Sequence, residues 1–537
     1  MKYKISILVV LFVVFFSSCA DLMEDMITDT VADNQFSTVQ GLDEALIATY
    51  VPLRLYYGQQ NGFLMTLYGT DLFTEGQTYN PHWNDYGSGL NPSNLLRASS
   101  DVFVWDNFYR GINNANTVIS RAPEVDGIDE NTKNMKMAEA KFLRAHFYFV
   151  LVQHFGALHI TLEETRDVEL EATRSPVEEV YEVIISDLEF AAEYLPLQQT
   201  QYGRPTHDAA VNHLAKVHLT IGNWQQAADL AIAVIEGGRH HLLDSYEDVF
   251  DPFNQRHAEA IWAVQWGDNP EVNSPPNQIQ RFIGPRQWLI EGLVGDNMYH
   301  IGKARFFPTP YLLTELFGND YREEGLHIRN DMRYSVTFKE AWLYNDENNL
   351  PNGAAIGDTA AWFTNDPIVQ EMSREEIEEK YPYLVIRIED INTVYAPTVH
   401  KHRYPYQALH GRDYMYMRLG ETYLIAAEAL MMLGQLDDAA YYFNVLRSRA
   451  AFPGVEIPLI TPAELTIDEI LDERGRELAG ELHRWYDLKR TGKLVARVRA
   501  HNPKGSLNIQ EFHNLRPIPQ TQIDRTWSDF PQNPGYN

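Results

Sequence analysis

Glu421-Thr422-Tyr423-Leu424-Ile425-Ala426-Ala427-Glu428-Ala429-Leu430-Met431-Met432-Leu433-Gly434 reads as a helix closed by a glycine turn, and Gln435 to Arg449 reads as a second helix returning from it. The same plan stands at His213 to Glu236, with Gly222 in the turn. Ala215, Ala227 and Ala231 lie seven before, five after and nine after Gly222, and Ala427, Ala439 and Phe443 keep those offsets from Gly434. Small side chains at such positions let two antiparallel helices approach closely, while Tyr423 and Phe443 fill the larger positions of the second copy.

That spacing is the packing logic of tetratricopeptide repeats. The two copies lie 212 residues apart, which excludes a tandem solenoid and predicts helix pairs dispersed through one composite domain. Two further helices are expected: Val102 to Arg121, through Phe103, Phe108, Tyr109, Ile112 and Ile119, and Met135 to Phe155, through Ala138, Phe142, Ala145, Phe149 and Val152. Alternating β patterns are scarce and short, so the class is mainly α. Between the repeat copies, Asp251 to Pro405 is broken by Asn273-Ser274-Pro275-Pro276 and Asn348-Asn349-Leu350-Pro351-Asn352-Gly353, and is expected to be a large loop-rich insertion carrying function. It divides an N-terminal scaffold of about 19–250 from a C-terminal part of about 406–537. Pro517, Pro519, Pro531 and Pro534 make Gln510 to Asn537 an extended strap.

With 537 residues, 45% hydrophobic and 22% charged, the chain is of globular composition and long enough for a large core. Acids outnumber bases 74 to 44, and a net charge of −30 argues against a nucleic-acid partner, whose phosphates require a basic surface. It also argues against polyanionic cargo, save through local basic patches such as Lys401, His402 and Arg403. A single cysteine, Cys19, excludes an intrachain disulfide, a cysteine zinc cluster and a CxxC redox pair.

Lys2 and Lys4, the apolar run Ile5 to Phe16, and Ser17-Ser18 before Cys19 form a signal peptide over 1–18. Twelve residues rise only ~18 Å as a helix, short of the ~30 Å hydrocarbon core, so the run is read as cleaved rather than spanning. Cys19 resembles the lipid-modified cysteine of a bacterial lipobox, with Phe16 where leucine is more usual. The mature chain is expected to hang from the outer membrane by lipid. Ala20, Asp21, Glu24 and Asp25 resemble the surface-export signal of Bacteroidota lipoproteins and predict an extracellular face.

Five segments in order behind that lipobox carry a more specific likeness. These are Phe108-Tyr109-Arg110-Gly111-Ile112-Asn113-Asn114-Ala115-Asn116; Ala138 to Ala145 with Phe155-Gly156; Gly203-Arg204-Pro205-Thr206; Tyr416 to Ala429 running on to Asn444 to Ala450; and Glu473-Arg474-Gly475-Arg476-Glu477-Leu478-Ala479-Gly480-Glu481 with Arg484 to Arg490, Pro517-Ile518-Pro519 and Gln532 to Tyr536. Together they resemble the SusD/RagB outer-membrane nutrient-binding lipoproteins along nearly the whole mature length. The resemblance implies a SusD-like helical scaffold, docking on a TonB-dependent transporter of the SusC type, and delivery of oligomeric nutrients to it. Glycan is the expected cargo and peptide, as in RagB-type relatives, the alternative.

Glu473, Glu477 and Glu481 recur at i, i+4, a spacing that repels within an isolated helix and therefore requires cations from elsewhere. Arg476 and Arg484 at i+3, with Arg418, Arg447 and Arg449 from other segments, are expected to supply them as a structural network.

A glycan presents C–H faces and hydroxyl edges, so its site needs exposed aromatic planes beside short amides and carboxylates. Thr74 to Asn94 has that composition, and Trp83, Tyr79, Tyr86 and Asn84 are its expected ligand contacts, with Trp83 foremost. The resemblance adds that glycan-binding members carry an aromatic contact in this region. The insertion offers Trp288 and Trp342 in second place. No HExxH, GxSxG, GxGxxG or GxxxxGK[ST] motif occurs, so no catalytic residue, metal ligand or cofactor is assigned. A surface glycoside hydrolase stays open, because its two carboxylates can come from any part of a chain with 74 acids.

Overall fold

In the computed structural model, which describes residues 36–76, 84, 86–87, 95–267, 269, 271, 275–295, 301–318, 330–404 and 411–536, helices dominate. The N-terminal part begins with α1 (Val39–Thr49), α2 (Val51–Tyr57) and α3 (Gln60–Thr66). The helices α4 (Leu95–Arg121), α5 (Glu130–Phe155) and α6 (Val177–Tyr194) follow, then α7 (His207–Ile221) and α8 (Trp224–Glu236). After the insertion come α10 (Leu419–Met432) and α11 (Leu436–Arg449), and then α12 (Ile467–Glu477) and α13 (Arg484–Arg490). The short α9 (Ile279–Ile283) lies within the insertion.

Both expected helix pairs form, α7–α8 and α10–α11. Gly222 sits at φ +81° and Gly434 at φ +76°, left-handed conformations in which a glycine costs least. Although far apart in sequence, the pairs stack on each other: Ala215, Ala227 and Ala231 share one buried cluster with Ala427, Ala439 and Phe443. The dispersed repeats are therefore contiguous in space, and α4, α5 and α6 extend the same layer through α5–α6 and α6–α7 packing.

The α5 helix departs from the amphipathic pattern expected of it. Every residue from Phe142 to Phe155 is buried, so the helix is enclosed on all sides rather than along one stripe. Its polar members are accommodated individually. Arg144 pairs with Asp187 of α6 at 2.7 Å, and the Tyr57 hydroxyl lies 2.9 Å from His146 Nε2. The C-terminal strap closes the end of α5, where the Arg516 amide donates to the His154 carbonyl at 2.7 Å and Asn533 Nδ2 to that of Phe155 at 2.9 Å.

The triple-glutamate segment is a buried ionic core. Glu477 faces Arg418 at 2.5 Å, Arg449 at 2.7 Å and Arg333 at 3.1 Å. Glu481 faces Arg418 at 2.7 Å and Lys401 at 2.6 Å, and Glu473 faces Arg333 at 2.8 Å and Arg476 at 3.0 Å. Burial alone would raise these carboxyls, but the surrounding cations outweigh it and hold Glu473 and Glu481 at about 2. One expected partner goes elsewhere: Arg484 makes its ion pair with Asp71 at 2.5 Å and joins α13 to the N-terminal part. Lys401 and His402 are buried here as well, so the basic surface patch expected at 401–403 does not form.

The insertion leaves and re-enters the scaffold through one antiparallel strand pair, β2 (Ala260–Val264) with β7 (Tyr414–Arg418), which aligns Ala260 with Arg418 and Val264 with Tyr414. Within it, β4 (Ala341–Leu343), β5 (Thr359–Phe363) and β6 (Leu384–Ile386) form a three-stranded sheet. One further strand, β3 (Phe306–Pro308), folds back and pairs with β1 (Phe73–Glu75) of the N-terminal part.

Candidate functional site

Just before β3, the insertion holds a surface cavity of about 430 Å³ lined by Arg286, Trp288, Leu289, Ile301, Gly302, Lys303 and Arg305. Backbone bonds fix its walls. The Lys303 amide donates to the Arg281 carbonyl at 2.5 Å, that of Ala304 to Gly284 at 2.8 Å, and that of Arg305 to Phe282 at 3.0 Å. Gly302 passes so close to the 284–285 turn that a Cβ would overlap the carbonyl oxygens of Gly284 and Pro285. Trp288 sits in a 3₁₀ turn, Gln287–Leu289, half-buried, beside the exposed Leu289 and Ile301.

Of the residues expected to touch ligand, Trp288 alone among those described lies at a cavity on the surface. Trp342 is 1% exposed, packed within the three-stranded sheet opposite Ala361, and presents no face to solvent. Asn84 and Tyr86 are also buried. Asn84 accepts from Asn502 Nδ2 at 3.1 Å, and the Tyr86 hydroxyl donates to the Gly69 carbonyl at 2.8 Å, with its ring 5.0 Å from that of His513. These two act as plugs between β1 and the C-terminal part, not as ligand contacts. Trp83 and Tyr79 lie outside the described residues, as does Cys19. The Gly76 amide donates to the Arg305 carbonyl at 3.1 Å.

The cations Arg286, Lys303 and Arg305 escaped the sequence reading. Their signal was the run Gly302-Lys303-Ala304-Arg305, basic at alternate positions in a chain poor in bases. Lys303 Nζ stands 5.0 Å from the centroid of the Phe282 ring. Burial, then the charges of Arg281 and Arg305, lower its pKa from the ordinary lysine value.

Two other cavities meet at Arg256. One, of about 550 Å³, lies between α1–α2 and β2 and includes Tyr50, Arg54, Tyr202 and Arg204; the other, of about 570 Å³, includes Phe253, Trp266, Tyr404 and Asp413. Their polar groups are largely committed to the protein: Arg204 pairs with Glu139 at 2.8 Å, Arg54 donates to the Gln265 carbonyl at 2.8 Å, and Arg256 stands 5.0 Å from the Tyr202 ring centroid. Asp413 is raised to about 6 by burial, against the amide of Trp266 and the charges of Arg256 and Arg412. Among the described residues, no group of three or more His, Cys, Asp and Glu side chains is arranged to hold a metal ion.

Comparison with known proteins bears on this architecture from both ends of the chain. A family model described as the SusD family matches residues 258–536, and one described as "Starch-binding associating with outer membrane" matches 47–219. Formosa agariphila SusD-like protein P2 is 28% identical over 564 residues, covering 100% of both chains, and SusD-like protein P25 of the same organism is 26% identical, covering 96% of each. Among solved structures, a laminarin-binding SusD-like protein aligns with TM-score 0.64 and 25% identity over 92% of this chain and 99% of its own. A SusD homolog from Bacteroides thetaiotaomicron aligns with TM-score 0.72 and 20% identity over 95% and 99%. With one family model covering more than half its length, from the neck of the insertion through the buried glutamate core to the strap, this chain belongs to the SusD family.

Proposed function

We propose that this protein captures an extracellular glycan at the Trp288 cavity and passes it to a TonB-dependent transporter of the SusC type, while held at the outer membrane by lipid on Cys19. The observation that carries the reading is a half-buried indole at a surface cavity of mainly apolar lining, beside exposed Leu289 and Ile301, with the basic residues Arg286, Lys303 and Arg305 around it. The laminarin-binding relative supports glycan as the cargo. The family, the single cysteine behind an apolar leader and the acidic stretch after it support the anchor and the transporter partner.

The role is binding without catalysis. Glu473, Glu477 and Glu481 are buried among arginines and reach no substrate. Asp413 has the raised pKa of a general acid, yet it is the one carboxylate among the described lining residues of its cavity, and glycoside hydrolysis uses a pair. The test is binding of the soluble protein, beginning after Cys19, to a polysaccharide panel with a peptide pool alongside. Saturable glycan binding with no release of reducing ends is expected. Peptide binding alone would replace the cargo, and reducing ends lost in Asp413→Asn would replace the role.

A further inference from the structure

Resting on the glycan-capture reading, the cavity's charge narrows the substrate class. The protein as a whole carries −30, yet the described lining of the Trp288 cavity contains Arg286, Lys303 and Arg305 and no acid, and the Arg281 carbonyl accepts from the Lys303 amide. In the core, Arg333, Arg418, Arg449, Arg474, Arg484 and Arg490 each face carboxylates, while Arg412 and Arg516 donate to backbone carbonyls. Among the described residues, Arg281, Arg286 and Lys303 form no ion pair.

We propose that the Trp288 cavity takes a glycan bearing anionic groups, carboxylate or sulfate ester, with the indole stacking on a sugar ring while Arg286 and Lys303 bind the charge. A guanidinium fork matches the two oxygens of a carboxylate or sulfate, and the ammonium adds a compact point charge. Burial, then the charges of Arg281 and Arg305, already disfavour the Lys303 proton, and an anion in the cavity offsets both. The overall negative charge does not prevent this. At physiological ionic strength screening acts over ~8 Å, so a ligand seated on the cluster feels the cations against it more than acids spread over the remaining surface.

The experiment measures affinity for an oligogalacturonate and a sulfated galactan oligosaccharide, each beside its carboxyl-reduced or desulfated form, and for neutral laminarin oligosaccharides. At least one acidic form is expected to bind about tenfold or more tighter than its neutralised counterpart, a difference of ~1.4 kcal/mol. That advantage should shrink as NaCl rises from about 50 to about 500 mM. Arg286→Gln with Lys303→Gln should abolish the preference, and Arg286→Lys with Lys303→Arg should keep it; unchanged circular dichroism and thermal midpoint certify that the variants fold. Preference for the carboxyl or the sulfate pair identifies the anion. Equal binding of acidic and neutralised forms, a preference unmoved by the glutamine variants, or no acidic ligand bound overturns the proposal. Neutral glycan bound and lost in Trp288→Ala would leave glycan capture standing while removing the anionic class; silence to every glycan would remove both.

Discussion

Glu477 has no freedom to be anything but a carboxylate. It is fully buried and faces three guanidinium groups, so Glu477→Gln keeps the shape while leaving Arg418, Arg449 and Arg333 under-compensated. Breaking such a buried network by removing one partner costs about 3–5 kcal/mol, and urea unfolding of Glu477→Gln should show a loss of that order. A loss below about 1 kcal/mol would mean that the network is hydrated or rearranges. Glu473, Glu477 and Glu481 were legible in the sequence because i, i+4 repulsion demands cations. Arg484 was misplaced, since helical spacing says nothing of Asp71, which reaches it from the N-terminal part. Trp288 and Trp342 show the same limit. Each is an indole in the insertion, and the strand pairing that sets Trp342 opposite Ala361 within the main hydrophobic core is invisible in local pattern.

At the scale of elements, the helix pairs were readable because a glycine turn and small residues at fixed offsets are local signals. That the two pairs stack on one another was not, because their Ala215–Ala427 layer is made of residues far apart in sequence. Likewise the composition of 74–94 suits a ligand loop, but Asn502 and His513 from the C-terminal part turn Asn84 and Tyr86 into core. The cavity wall depends on Gly302. Gly302→Ala must push apart the 284–285 turn and the 302–305 segment, so it should weaken glycan binding along with stability. Gly353→Ala is the control: φ is +86°, yet nothing lies within 4 Å of the added carbon, so a strain cost of about 1 kcal/mol and unchanged binding are expected. Isothermal titration and thermal melts of the two variants separate wall closure from general loosening; equal binding by both would show that the wall does not depend on the close approach.

For the whole molecule, buried histidines and glutamates act on acid stability with the same sign. Burial, with Lys216 or Lys401 nearby, lowers His213 and His402 from 6.5 to about 3. Between those limits the unfolded chain takes up protons that the folded chain refuses, so stability falls as pH drops below about 6.5. Glu473 and Glu481, held at about 2 against 4.5, contribute stability that is full above about 4.5 and is lost as pH falls toward 2. The urea midpoint should therefore decline from pH 7 downward and steepen below about 4.5; a flat profile between pH 7 and 4 would contradict the burial of these groups. The central claim, glycan held at the Trp288 cavity, is tested most directly by a crystal structure of the protein with its tightest-binding oligosaccharide. A sugar ring stacked on the Trp288 indole, with Arg286 or Lys303 within hydrogen-bonding reach of the ligand, is the predicted result. An oligosaccharide seated in the cavities around Arg256, with Trp288 untouched, would contradict it.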